Sequence, residues 1–268
     1  MKHHISASRV TTYSDCGLKY KFNYIDKLGK FVSSIHLVYG SAIHEALEHF
    51  NISMGQTVDQ SEDVFQAFHD AYQKGLEKEG LEKDYFRWTL YEMGINSLQK
   101  FLDEFVDYTV IATEQKFNVP LIWADGTVDP NYDLLGFIDA VIKRKNGEIV
   151  IVDYKTSKEA YPKFNIDTSL QLTMYSYAFR HLLNEGKFPN IKKKKEDFIG
   201  YCVIEKDYKT LNGPIKMQRK KIGDVQLNKM FYTLRQYIFG IESSLYMPNY
   251  NSLCKWCDYK KECVNFEG

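Results

Sequence analysis

The stretch DLLGFIDAVIKRKNGEIVIVDYKTS, residues 133–157, constrains the fold more than any other part of the chain. Two apolar, β-branched runs flank the polar sequence RKNG, so the spacing predicts an antiparallel pair of strands turning near Asn146. Asp139 and Asp153 stand equally far from that turn, one on each side, and are expected to face each other across the pair. In IVDYKT, Asp153 and Lys155 are two residues apart and point to the same face of a strand. Two carboxylates and an ammonium are thereby predicted to converge on one spot.

That arrangement is costly by itself. The apolar run Ile149 to Val152 marks a buried central strand, and buried like charges need a cation. A hard divalent ion, Mg²⁺ or Mn²⁺, suits paired carboxylate oxygens, and an imidazole from His44 would shift the preference toward Mn²⁺. Such an ion activates water and stabilises charge developing on a phosphate, with Lys155 placed to orient the water or neutralise the transition state. The chemistry implied is phosphodiester hydrolysis; on spacing alone, a surface ion pair at a strand end is the competing reading.

Elsewhere the period of the apolar residues assigns the elements. Ser6 or Ser8 can cap a first helix carrying Cys16, which Gly17 can break. In YGSAIHEALEHF, Ser41 is expected to cap a helix whose buried stripe is Ile43, Ala46, Leu47 and Phe50, with His44 on its edge. Residues 62–108 read as strongly helical, with Val64, Phe68, Tyr72, Leu98, Phe101 and Phe105 among the apolar positions. Strands follow at VIATEQKFNVPLIW and through residues 133–157, then a helix over 169–184. Two further strands are expected around an Asn-Gly turn at Asn212 and Gly213, and a last long helix over 225–245. The expected fold is α/β, a central sheet flanked by helices.

The 268 residues can bury a sizeable core, and no low-complexity linker divides them. One domain, 1–268, is expected, with a helical insertion at 51–110. The 35 basic and 35 acidic residues cancel, which excludes a global basic field, so affinity for nucleic acid must come from local patches. The densest, KKKK at 192–195 and KMQRKK at 216–221, are by default solvated surface. No signal peptide or membrane-length apolar run is visible, which points to the cytoplasm, where clustered cysteines favour metal over disulfide.

Three of the five cysteines, Cys254, Cys257 and Cys263, crowd into NSLCKWCDYKKEC. A tetrahedral sulfur site needs a fourth thiolate. Cys202 sits in the apolar run YCVI, where a buried free thiol is the usual state; Cys16 lies at a polar helix end and is the better candidate. Spacing admits either zinc or an iron–sulfur cluster.

Taken in order, GSAIHEAL, GFIDAV, VDYKTS and QLTMYSYAF resemble the His-containing RecB-like branch of the PD-(D/E)XK nuclease superfamily. The resemblance runs from Ser8 to Cys263, with no specific motif between about 51 and 110. It implies a restriction-endonuclease-like core in which His44, Asp139, Asp153 and the backbone carbonyl of Tyr154 hold the metal and Lys155 is catalytic. Glu114, in ATEQKF, matches an acidic residue that supports the metal site, and Gln171 and Tyr175 match a QxxxY motif near the active site and DNA. AddB-type and CRISPR-associated RecB-like exonucleases carry one N-terminal and three C-terminal cysteines around a 4Fe-4S cluster. The resemblance therefore places that cofactor on Cys16, Cys254, Cys257 and Cys263, in a module of 1–30 and 246–268. One departure is Gly17, where the family has proline.

The resemblance implies a DNA nuclease, an exonuclease on single-stranded or frayed ends in replication, recombination or repair, with a helicase or recombination partner. No G-x-x-x-x-G-K-[ST] loop is present, so a motor would belong to the partner. A catalytically silent DNA-end or helicase-partner subunit is the alternative; retention of Asp139, Asp153 and Lys155 argues against it. A redox protein is weaker, since no second cofactor motif accompanies the cysteines.

Overall fold

The structure, a computed structural model, describes residues 2–29, 34–53, 61–104, 107–192 and 195–266. Its strands are β1 (His3–Ile5), β2 (Tyr108–Ile122), β3 (Val128–Arg144), β4 (Ile149–Ser157), β5 (Phe198–Glu205) and β6 (Ile215–Lys220). Its α-helices are α1 (Ala7–Asp15), α2 (Gly17–Tyr20), α3 (Ile35–Ser53), α4 (Ser61–Glu79), α5 (Arg87–Glu104), α6 (Lys163–Thr168), α7 (Leu170–Asn184), α8 (Asp224–Glu242) and α9 (Lys260–Val264). The chain forms two compact units, one of residues 1–32, 118–136 and 224–268 and the other of residues 33–117 and 137–223.

The second unit is built on the mixed ladder β3-β4-β5-β6. Its neighbours pair antiparallel, parallel and antiparallel in turn. The hairpin forms as the sequence dictates: Asn146 Oδ1 accepts from the Glu148 N–H, and the Arg144 and Glu148 backbones close the turn. Its register pairs Ala140 with Val152 and Val141 with Ile151, which puts Asp139 opposite Asp153 one step further along. Ala140, Ile142, Val150, Val152 and Tyr154 share a core with the buried faces of α3, α4 and α5, while α7 packs on β4 and β5.

Several element boundaries differ from expectation. α3 begins at Ile35, so Ser41 lies inside the helix and caps nothing. The reason is that Ile35, Val38 and Tyr39 extend the buried stripe of Ile43, Ala46, Leu47 and Phe50 by two turns. The helical stretch 62–108 is two helices broken at Gly80, and Tyr108 already belongs to β2; Phe105 falls outside the described residues. The connection between β5 and β6 is a longer loop, not an Asn-Gly hairpin. Asp207 organises it: its Oδ1 accepts from the Lys209 N–H and its carbonyl from Leu211. The basic run of β6 is paired, with Lys216 on Glu205, Arg219 on Glu148 and Lys220 on Asp167. Of the run 192–195, Lys193 and Lys194 lie outside the described residues.

In the first unit, β1 pairs parallel with the start of β3, from His3 opposite Tyr132 to Ile5 opposite Leu134. Ser6 caps α1, accepting from the Arg9 N–H. α1, α2 and α8 meet through Tyr13, Tyr20 and Tyr237, whose rings pack edge to face at 5.5 to 5.7 Å. The Tyr20 and Tyr237 hydroxyls share a hydrogen bond of 2.8 Å. The buried face of α8 is Met230, Leu234, Tyr237 and Gly240, and the helix stops at Glu242, short of the expected 245. Among the described residues, no helix is long and apolar enough to cross a membrane.

Candidate active site and thiol cluster

The second unit gathers side chains from five elements: His44 on α3, Glu114 on β2, Asp139 on β3, Asp153 and Lys155 on β4, and Gln171 and Tyr175 on α7. Strand alternation sends Asp153 and Lys155 to this face and the Tyr154 side chain to the other, where its hydroxyl accepts from Asn51. The backbone of Tyr154 still takes part. Its N–H donates to Asp139 Oδ2 at 3.0 Å, and a backbone hydrogen bond ties it to His44.

The side chains form a continuous polar chain. Lys155 Nζ lies 2.7 Å from Asp153 Oδ2 and donates to Gln171 Oε1 at 3.2 Å. Gln171 Nε2 donates to the Tyr175 hydroxyl at 2.9 Å, and that hydroxyl donates to Asp139 Oδ1 at 3.4 Å. His44 Nδ1 stands 3.4 Å from Asp139 Oδ2. The four-residue spacing of Gln171 and Tyr175 on α7 brings them onto one face, where they join the lysine to the opposing carboxylate.

His44, Glu114 and Asp139 each turn a ligand atom into one space, all within 4.8 Å of one another. Asp153 stands outside that trio, turned toward Lys155. It is completely buried, and neither of its oxygens has an aligned hydrogen-bond donor; Lys155 meets Oδ2 as a charge at contact distance. Burial, and after it the charge of Asp139, raises the Asp153 pKa against the pull of Lys155. Burial, Asp139 and Glu48 together push Glu114 up to about 7. Burial draws Lys155 down, but Asp153 and Asp139 outweigh it and the net shift is up. Burial lowers His44, favouring the neutral imidazole that can ligate a metal, and Asp139 opposes this.

This is negative charge concentrated in a low-dielectric site. Unsatisfied buried carboxylate oxygens beside two more carboxylates and a neutral imidazole form a hard oxygen-rich donor set, and the residues fit Mg²⁺ or Mn²⁺. Glu114 adds a backbone feature: its φ of 41° is left-handed, rare for a non-glycine residue, and re-aims its carboxylate within an otherwise extended strand. Glu48, one turn after His44 on α3, was missed by the sequence reading. Its signal was the i, i+4 spacing in HEALE.

In the first unit, Cys16, Cys254, Cys257 and Cys263 line one hollow of about 200 Å³, walled by Leu18, Phe22, Leu253 and Tyr259. Cys16 is not inside a helix as expected but between two: its extended backbone ends α1, and its sulfur accepts from the Lys19 N–H to start α2. The Asn249 N–H also points at Cys16 Sγ, and the Asn251 N–H at Cys254 Sγ, each at 3.4 Å. A side chain at Gly17 would place its Cβ 2.7 Å from Met247 N, so the close passage of the chain there demands glycine. Burial raises the Cys263 thiol pKa, and the other three thiols add to the effect. A four-sulfur donor set fits zinc or an iron–sulfur cluster. Cys202 is fully buried in β5, the ordinary state of a core thiol.

A sequence profile of the PD-(D/E)XK nuclease superfamily matches residues 4–264. The chain belongs to that superfamily. Comparison with curated proteins finds no match. Among solved structures, this PD-(D/E)XK chain is similar to the protein called "Putative exonuclease" from Eubacterium rectale. The likeness has 12% identity and a TM-score of 0.55, and spans 96% of this chain and 87% of that one. It also aligns with the structure called SSO0001 at 15% identity and a TM-score of 0.38, over 95% of each chain. At these identities the likeness to the first concerns the fold alone.

Proposed function

We propose that this nuclease is a divalent-metal-dependent deoxyribonuclease, an exonuclease on single-stranded or frayed DNA ends in replication, recombination or repair. The observation that carries the reading is the convergence of Asp139, Asp153 and Lys155 beside the His44, Glu114 and Asp139 trio. The name of the Eubacterium rectale protein supports the end-processing part.

In this reading His44, Asp139, Asp153 and the Tyr154 carbonyl hold Mg²⁺ or Mn²⁺, with Glu114 in support. The ion supplies Lewis-acid stabilisation of the phosphate and lowers the pKa of water. Lys155, held between Asp153 and Gln171, orients the attacking water and faces the charge that builds on the phosphate oxygens. Water adds to phosphorus, the phosphorus–oxygen bond to the neighbouring sugar breaks, and the departing oxygen takes a proton. Gln171 and Tyr175 position the two ends of the site, one on Lys155 and the other on Asp139.

The thiols of Cys16, Cys254, Cys257 and Cys263 hold a structural 4Fe-4S cluster in a module of residues 1–30 and 246–268. Support comes from the apolar hollow between them and from N–H groups aimed at two sulfurs, features that suit a cluster. End-labelled single-stranded and duplex DNA incubated with Mg²⁺ or Mn²⁺ tests the activity. Progressive shortening from the ends, absent with EDTA, is expected; intact DNA under every metal would sink the reading. Anaerobic purification with a visible spectrum and iron and zinc analysis tests the cluster.

A further inference from the structure

The groove that opens beside the metal trio has a second end of opposite charge. Its wall runs from His44, Glu48 and Glu114 past Gly40 and Thr156 to His36 and Lys206. β4 and β5 run parallel with Ser157 opposite Glu205, so the residues that follow, Lys158 and Lys206, emerge side by side. The Lys206 N–H ties them by donating to the Ser157 carbonyl at 2.6 Å.

The two lysines lie over aromatic rings, and His36 stands beside one of them. Lys206 Nζ lies 5.6 Å from the Tyr39 ring and Lys158 Nζ 6.0 Å from the Tyr208 ring, which His36 meets edge-on at 6.5 Å. Among the described residues neither lysine forms an ion pair, in contrast to the paired cations of β6. Burial and Lys158 lower the Lys206 pKa; burial and both lysines lower His36, where Asp84 is the opposing carboxylate. His36 also occupies the first turn of α3, whose N-terminus adds positive potential. Two adjacent lysines that form no ion pair, beside an imidazole that can donate a hydrogen bond, are the mark of an anion site.

We propose that His36, Lys158 and Lys206 form a phosphate subsite that holds the nucleic-acid strand at a phosphate other than the one being cut. Lys158 stands just past the end of β4, three residues and about 10 Å of extended chain after Lys155, which sets the subsite apart from the reacting group, while His36 and Lys206 line the groove that His44 and Glu114 share. The proposal rests on the nuclease reading for the identity of its ligand. The phosphate can be internal to the backbone or terminal.

Binding of fluorescent single strands, measured over a range of salt in the Lys155→Met background so that nothing is cut, separates these cases. Lys158→Ser with Lys206→Met is expected to weaken binding about tenfold and to flatten the slope of log K against log salt by about 1. Cleavage at saturating DNA by the chain retaining Lys155 should stay within about threefold, because the reacting groups are untouched. Equal losses for phosphorylated and hydroxyl-ended strands assign the subsite to the backbone; a loss confined to phosphorylated ends assigns it to the terminus. Lys158→Glu, on an exposed residue, repeats the test if the double variant does not fold. Unchanged affinity and slope, or no binding by the parent, would overturn the subsite. Weakened binding without metal-dependent cleavage by any chain would instead retain the subsite and remove the nuclease reading.

Discussion

Asp153 is a fully buried carboxylate without an aligned hydrogen bond, facing a second carboxylate across the β3-β4 pair. Its raised pKa, and that of Glu114 at about 7, mean that the metal-free folded protein keeps protons that the unfolded chain releases from about pH 4 upward. Where the folded state binds more protons, stability falls as pH rises, so these two groups destabilise the metal-free protein progressively from about pH 4 to about 7 and no further above. Thermal melts in EDTA should show that decline, and Mg²⁺ or Mn²⁺ should flatten it; a level profile in EDTA would contradict the electrostatics. At this scale the sequence was informative where chemistry follows from strand periodicity. Asp139, Asp153 and Lys155 could be placed together because alternation and a recognisable turn fix which way they face. The left-handed backbone of Glu114 could not, since φ at one strand residue depends on what surrounds it.

Among the elements, α4 and α5 depend on a close approach that hydrophobic patterning does not display. A methyl on Gly94 would collide with the Phe68 ring, itself stacked on Tyr72. Gly94→Ala should therefore cost about 1–3 kcal/mol of stability, measured by urea unfolding, with little change in activity per folded molecule. A loss below that range would mean that the two helices can separate to accept the methyl. The long helices and the hairpin were legible because their periodic apolar faces continue over many residues. Their ends were less so: α3 starts before Ser41 because buried Ile35, Val38 and Tyr39 outweigh a possible cap. The β5-β6 loop follows Asp207 and not the Asn-Gly pair, because local side-chain bonds decide loops.

At the scale of the whole chain, residues from its two ends meet in the first unit, where Tyr13 donates to the Leu245 carbonyl and Cys16 faces Cys254, Cys257 and Cys263. Filling that site with metal closes a very long loop, worth several kcal/mol on an entropic description developed for disulfides. On the proposed cluster reading, Cys254→Ala lowers the melting temperature and the bound iron together, while circular dichroism keeps its α/β signature; a variant as stable as the parent would contradict the clasp. That Cys16 and not Cys202 joins the three C-terminal thiols was legible because Cys202 reads as core, whereas the hollow and its N–H donors arise only from the fold. The central claim is that the Asp139, Asp153 and Lys155 constellation hydrolyses DNA, and Lys155→Ala tests it most directly. With Mg²⁺ or Mn²⁺ and end-labelled single-stranded DNA, the account predicts cleavage by the parent and a loss of at least about a hundredfold in the variant. Equal rates for parent and variant would contradict it.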